Sequence, residues 1–203
     1  MKLTLTQFLS IDGVHQAPGA PEEDTSGGFP HGGWTVPFGD EDFMGFVTES
    51  FARADAFLLG RRTYDIFAGY WPRRTDPADP VASKLNALPK YVASRTLTGA
   101  DWAGTRVIGG SDLVKDVTAL KEQPGRELQI HGSGDLAAYL LRHDLIDTLH
   151  LLTFPVVLGT GKRLFAEGAV ATAFRNAGTR VTGKGVVITS YELDGRPTYG
   201  SFA

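Results

Sequence analysis

A chain of 203 residues with 25 glycines, 11 prolines and no cysteine has room for one domain with a substantial core, and it excludes disulfide scaffolds, thiolate metal centres and a cysteine nucleophile. With 42% hydrophobic and 21% charged residues it has the composition of a folding chain. The mild formal charge of −3 argues against a polyanion-binding surface, so no nucleic-acid partner is expected.

The amino terminus, MKLTLTQFLSIDG, alternates apolar and polar residues and reads as a first strand rather than a signal peptide. No apolar run approaches membrane-spanning length, so a cytoplasmic protein with no membrane partner is expected. Residues 17–40 are rich in Gly and Pro. They read as a long loop anchored by Phe29, Trp34 and Phe38, the alternative being a mobile insertion.

From Asp40 to Ala54, Phe43, Phe46, Val47 and Phe51 recur at helical spacing behind an acidic first turn. AFLLG is a buried strand, RRTYDIFAGYW a turn and helix ending before Pro72, and Pro77 to Ala87 a short helix. KYVAS and Thr105–Ile108 are strands, and Asp112–Glu122 is a helix capped by Ser111 or Asp112. ELQIHG is a strand, GSG a tight turn, and DLAAYLLRH a helix with Leu136, Tyr139 and Leu140 on one stripe. Residues 147–158 form a strand region broken near Pro155, and the remainder forms terminal strands joined by Gly-containing turns. The pattern predicts a single α/β domain over residues 1–203: a mixed, mostly parallel sheet, helices on both faces and antiparallel terminal strands. Residues 149–158 and the terminal strands are expected to build the two-fold interface of a homodimer.

Three segments carry chemistry. In Ile130-His131-Gly132-Ser133-Gly134-Asp135-Leu136 a strand runs through glycines directly into a helix, which suits an anion, although glycines serving only a tight turn would look the same. Gly60-Arg61-Arg62-Thr63-Tyr64 and Ser94-Arg95-Thr96 place guanidiniums and hydroxyls just after strands, where solvated surface arginines are the alternative. Three such turns at the carboxyl ends of strands point together to a phosphate-bearing cofactor. His15, His31, His131, His143 and His150 show no metal-binding spacing, so no metal is expected, and no G-x-S-x-G elbow supports a serine hydrolase.

Together with LSIDG and LTFPVVLGTGKRLF, these motifs resemble the dihydrofolate reductase-like superfamily, and specifically the carboxyl-terminal reductase domain of bifunctional riboflavin-biosynthesis proteins and its stand-alone relatives. The resemblance spans nearly the whole chain and implies NADPH as cofactor. It implies that Gly132, Ser133 and Gly134, with Asp135 and Leu136, hold the pyrophosphate, that Gly60, Arg61 and Thr63 contact phosphate, and that Ser94 and Arg95 meet the adenosine 2′-phosphate. His15, Trp34 and Phe154 would border the small-molecule substrate and the nicotinamide. Asp40 or Asp12 would be the catalytic carboxylate, although Asp40 with Glu41 and Asp42 also suits a helix start, and Asp12-Gly13 a turn.

The implied reaction is hydride transfer to a C=N or C=O group of a pterin-like or pyrimidine-like molecule, most like that of a 5-amino-6-(5-phosphoribosylamino)uracil reductase. A non-catalytic NADP(H)-binding or regulatory protein and a dihydrofolate or xenobiotic carbonyl reductase are the alternatives. Between Leu3 and Ala52 there are eight acids and no Lys or Arg. A substrate phosphate would therefore have to be met from elsewhere, for instance by Arg163, unless the substrate is unphosphorylated.

Overall fold

In the first strand, β1 (Lys2–Ser10), alternate side chains serve different cores: Leu3, Leu5 and Leu9 pack on one face of the sheet, and Phe8 packs on the other. The computed structural model describes residues 1–202. The remaining elements are α1 (Glu41–Arg53), β2 (Ala54–Gly60), α2 (Arg61–Tyr70), α3 (Pro80–Ala87), β3 (Lys90–Ala93), β4 (Thr105–Ile108), α4 (Leu113–Lys121), β5 (Glu127–His131), α5 (Gly134–Arg142), β6 (Thr148–Phe154), β7 (Phe174–Val181) and β8 (Val187–Leu193).

The strands form one sheet in the order β4-β3-β2-β5-β1-β6-β8-β7. The first six are mutually parallel, and β8 runs antiparallel to both of its neighbours. One face packs on α4 and α5 through Val117, Leu120, Leu136 and Leu140. The opposite face packs on α1, α2 and α3 through Phe46, Phe51, Tyr64, Val81 and Leu85. This is the expected α/β arrangement, and it brings the carboxyl ends of six parallel strands to a single edge.

Helix starts differ in a way that bears on function. Asp40 accepts from the Phe43 amide to cap α1, Asp79 accepts from the Val81 and Ala82 amides to cap α3, and Asp112 accepts from the Lys115 amide to cap α4. The starts of α2 and α5 have no side-chain cap at all. Their first amides are left to other partners.

Several boundaries depart from the sequence reading. Beyond Tyr70 the chain continues as a 3-10 turn over Trp71–Arg73, because Pro72 falls in the first turn, where its missing N–H costs nothing. The third helix begins at Pro80 rather than Pro77, since its cap is Asp79. Tyr139 is 38% exposed and packs on His143, while Ala137 joins Leu136 and Leu140 in the core. The apolar strand β6 stops at Phe154 and lies inside the sheet, paired with β1 and β8, so it offers no free edge to a second copy. The outer strand on that side is β7.

Two histidines sit between the sheet and α1. The His131 ring stacks on Phe51 with centroids 4.4 Å apart, and its Nε2 lies 3.0 Å from Gln129 Oε1. The Gln129 amide nitrogen already donates to Ser50 O and to Glu127, so Oε1 is an acceptor and His131 carries its proton on Nε2. His150 Nδ1 is 2.8 Å from Ser190 Oγ, with the ring edge-on to Phe46. Burial pushes His131 down to about 3, helped by His150, and pushes His150 down to about 4, helped by Arg53. Between these values and the ordinary pKa of about 6.5 the unfolded chain binds more protons, so stability is lost as pH falls through that window. Lowering pH from 6.5 to 5.5 should cost on the order of 1 kcal/mol per histidine, read as a falling urea midpoint. Replacing His150 with Gln should flatten that slope; an unchanged slope would show that His150 titrates normally.

Candidate active site

The turn after β5 is set by backbone conformation. Gly132 and Ser133 both take left-handed φ values, 66° and 58°, a region open to glycine but strained for serine. Ser133 repays the strain with two bonds across the sheet edge: its Oγ accepts from the Gly60 amide at 3.0 Å and donates to Thr63 Oγ1 at 2.9 Å. A Cβ on Gly60 would lie 3.3 Å from Ser133 and 3.6 Å from Leu136, and one on Gly132 would lie 3.9 Å from Thr63 Oγ1. Thus Gly60, Thr63, Gly132, Ser133, Gly134 and Leu136 meet at one place. There the uncapped starts of α2 and α5, helices from opposite faces of the sheet, face each other across neighbouring strands β2 and β5.

His15 closes over this turn. A Cβ on Gly134 would lie 2.3 Å from the imidazole Cε1 and Nε2, so position 134 admits glycine alone while the ring stays in place. Burial holds the His15 ring below its ordinary pKa, against an attraction from Asp135 at the exposed start of α5. The backbone beneath the ring is fixed too: the His15 backbone N–H donates to Lys162 O at 2.9 Å.

The side chains of Arg61 and Ser94 bond locally instead. Arg61 bends along its own helix, its Nε donating to Asp65 at 2.8 and 2.9 Å. Ser94 Oγ accepts from the Thr96 and Leu97 amides and shapes the turn after β3, leaving Arg95 exposed. A broad groove of about 1060 Å³ opens beside them, lined by Arg61, Tyr64, Arg74, Leu97 and Trp102 among others.

Both candidate carboxylates are heavily engaged. Asp12 accepts from Ser10 Oγ at 2.7 Å and from the Leu158 and Gly159 amides at 3.1 and 2.9 Å, and Arg163 bonds both its carboxylate and its backbone carbonyl. The Ser10 hydroxyl and the Leu158 amide hold this carboxyl far below the usual range. Of the two readings open for Asp40, the geometry is that of a helix start: one oxygen caps Phe43 at 2.8 Å, and the other accepts from the Lys184 amide at 2.8 Å. These backbone donors, Phe43 first, hold it below its ordinary value.

Trp34 and Phe154 are buried rather than facing solvent. Trp34 donates its indole N–H to Gln16 O at 2.8 Å and meets Phe154 edge to face at 5.4 Å. Phe8, Phe38 and Phe43 surround the same Phe154 ring at 5.5 to 6.0 Å, forming an aromatic floor beside the β1 and β6 ends. Phe38 and Phe43 were legible as loop anchor and helix stripe, but their convergence on Phe154 was not. Gln16, Asp24 and Lys162, which pin the 17–40 loop, were also missed. Such distant polar partners leave no local pattern.

Glycine at 134 is tested by adding one methyl group. Gly134→Ala should lower stability by about 1–3 kcal/mol, the usual cost of overpacking, and His15→Ala in the same chain should recover most of it. Melting curves of the single and double variants measure this; no recovery would mean that the helix start itself, not the imidazole, demands glycine.

Comparison with known proteins agrees with this architecture. The family described as the RibD C-terminal domain matches residues 1–188. Two uncharacterized proteins of Bacillus subtilis strain 168 are similar in sequence: YyaP is 30% identical over 164 residues, covering 80% of this chain and 84% of its own, and YwjB is 36% identical over 156 residues, covering 75% and 82%. Among solved structures, a riboflavin biosynthesis protein of Shewanella sp. PV-4 superposes with a TM-score of 0.67 at 22% identity, covering 96% of this chain and 99% of that one. A pyrimidine reductase-like protein of Corynebacterium diphtheriae gives 0.64 at 16% identity over 95% and 92% of the two chains. Dihydrofolate reductase of Enterococcus faecalis, solved with NADP(H), gives 0.59 at 16% identity over 95% and 96%. The fold is that of the dihydrofolate reductase-like superfamily, and the chain belongs to the RibD C-terminal domain family.

Proposed function

We propose that this protein is an NADPH-dependent reductase of a pterin-like or pyrimidine-like small molecule. The observation that carries this reading is the pair of uncapped helix starts, α2 and α5, brought together by Ser133. Free amides at two converging helix ends supply directed donors and a positive field, which suits a diphosphate. The bare backbone of Gly132, with Thr63 Oγ1 its nearest neighbour, lets an anionic group approach, while the space at Gly134 is taken by the His15 ring. The residues fit the cofactor, which when bound supplies a hydride.

In this reading the backbone of 132–136 and the Thr63 hydroxyl hold the diphosphate, while the exposed Arg95 meets the adenosine 2′-phosphate beside Ser94. His15, between the β1 end and the α5 start, borders the nicotinamide side. The aromatic floor around Phe154 orients a planar acceptor and excludes water from one side of it. Asp12 acts as a positioning residue that fixes the β1 end to residues 158–159 and 163. With the oxygens of Asp12 and Asp40 spent on protein donors, the acceptor draws its proton from water.

The engagement of Asp12 and Asp40 by protein donors also favours a second reading, in which the acceptor is a carbonyl compound that needs no ring-binding acid. NADPH fluorescence on titration tests the cofactor: a Kd below about 1 mM is expected, and no binding would overturn both readings. Arg95→Ala should weaken NADPH about tenfold, as for loss of a charge-assisted hydrogen bond, while leaving NADH unchanged. NADPH oxidation followed with dihydrofolate, the phosphoribosylamino-pyrimidine substrate of riboflavin synthesis and simple carbonyls then separates the acceptors.

A further inference from the structure

The 17–40 loop is fastened over the sheet edge at one carboxylate. Asp24 Oδ2 accepts from Arg62 at 2.8 Å, at the start of α2, and from Lys162 Nζ at 2.7 Å, in the segment after β6. Its other oxygen accepts from the amide and hydroxyl of Ser26. The Asp24 side chain is 12% exposed, against 58% for Arg62 and 36% for Lys162, so the anion is sunk between two cations that still reach solvent. Burial by itself would raise this carboxyl, but the bonds from Lys162 and Ser26 outweigh it and keep the group ionised.

Gln16 braces the same point, donating to the carbonyls of Asp24 and Ser26 and accepting from the Lys162 amide. Beside it lies a cavity of about 260 Å³ lined by Gln16, Ser26, Gly27, Phe29, Thr160, Gly161 and Lys162. Its volume is several times the roughly 30 Å³ taken by one water in the liquid. Two cations around one carboxylate leave a residual charge of +1, which a phosphate dianion would neutralise and a carboxylate does not. The loop begins at Ala17, a non-glycine residue held at φ 46°, so its seat is held against local backbone strain.

We propose that Arg62 and Lys162 form a phosphate-binding subsite plugged in this structure by Asp24, so that an entering phosphate displaces the carboxylate and frees residues 19–28 of the loop. The ligand class is a phosphate ester or diphosphate, carried either by a nucleotide or by a sugar phosphate. The proposal goes beyond the reductase reading and stands without it, because inorganic pyrophosphate suffices as a probe.

Calorimetric titration with inorganic pyrophosphate, 2′,5′-ADP and ribose 5-phosphate tests it. Asp24→Asn, which removes the competing charge, should bind pyrophosphate at least about tenfold more tightly than the native chain. Arg62→Gln and Lys162→Gln should each bind at least about tenfold more weakly. Whichever organic phosphate shows the same Asp24 effect is the natural source. Should Asp24→Asn fail to fold, hydrogen exchange of the native chain decides: pyrophosphate should accelerate exchange over residues 19–28. Affinities within about twofold of native in Asp24→Asn, or exchange slowed or unchanged by pyrophosphate, would overturn the proposal.

Discussion

Ser133 is the constraint on which the candidate site depends. The sheet delivers β2 and β5 side by side, but the helices that follow them leave toward opposite faces, so nothing in the topology alone would hold their first turns together. One serine in a left-handed conformation spans the gap, bonding Gly60 and Thr63 at once. The strain of a left-handed non-glycine residue is about 1–2 kcal/mol, comparable to the net worth of its two hydrogen bonds. The bridge therefore adds little stability. Its consequence is geometric: two sets of unsatisfied amides are kept at a fixed spacing and aimed at the same volume.

Capping chemistry explains why, among the α-helix starts of the described residues, those of α2 and α5 are the ones suited to an anion. Three helices carry an aspartate at the capping position, and each of those carboxylates satisfies the amides that a ligand would otherwise need. At α2 and α5 the corresponding residues are Gly60 and Ser133, the first without a side chain and the second with its hydroxyl turned to the neighbouring strand. A carboxylate at either position would both satisfy the amides and repel phosphate.

The sheet, the helices and the glycine turn were legible because each leaves a local trace: alternation in β1, a 3.6-residue stripe in α1, and glycines bracketed by a strand and a helix. Tyr139 misled because an aromatic at stripe spacing can lie at the margin of a helix face, where its ring covers His143 instead of entering the core. The β6 region carries a related ambiguity: a run of apolar residues says that a strand is buried but not by what, and in the fold β1 and β8 flank it on both edges. Asp12 and Asp40 each have one near partner, Ser10 and Phe43, but the others, the Leu158 and Lys184 amides, lie 146 and 144 residues away in the chain. No spacing rule reaches that far.

The same distance gives meaning to the acidic, cation-free stretch from Leu3 to Ala52. Its carboxylates are matched by cations and amides of the carboxyl-terminal third: Asp12 by Arg163, Asp24 by Lys162, Glu49 by Arg180, Asp42 by the Gly183 amide and Asp40 by the Lys184 amide. An exposed pair such as Glu49 and Arg180 is worth only about 0–1 kcal/mol, so charge segregation does little for stability there. What it does is select. Residues 19–28, the part of the loop without apolar anchors, have many near-equivalent positions over a sheet edge, and charges of one sign on the loop and the other sign on its seat discriminate among them. Three of the eight acids that seemed ill-suited to a phosphorylated substrate, Asp12, Asp24 and Glu49, are thus paired with cations within the fold. The cations they occupy are held at the sheet edge where a phosphate would arrive, and in the case of Asp24 a single carboxylate stands between the two.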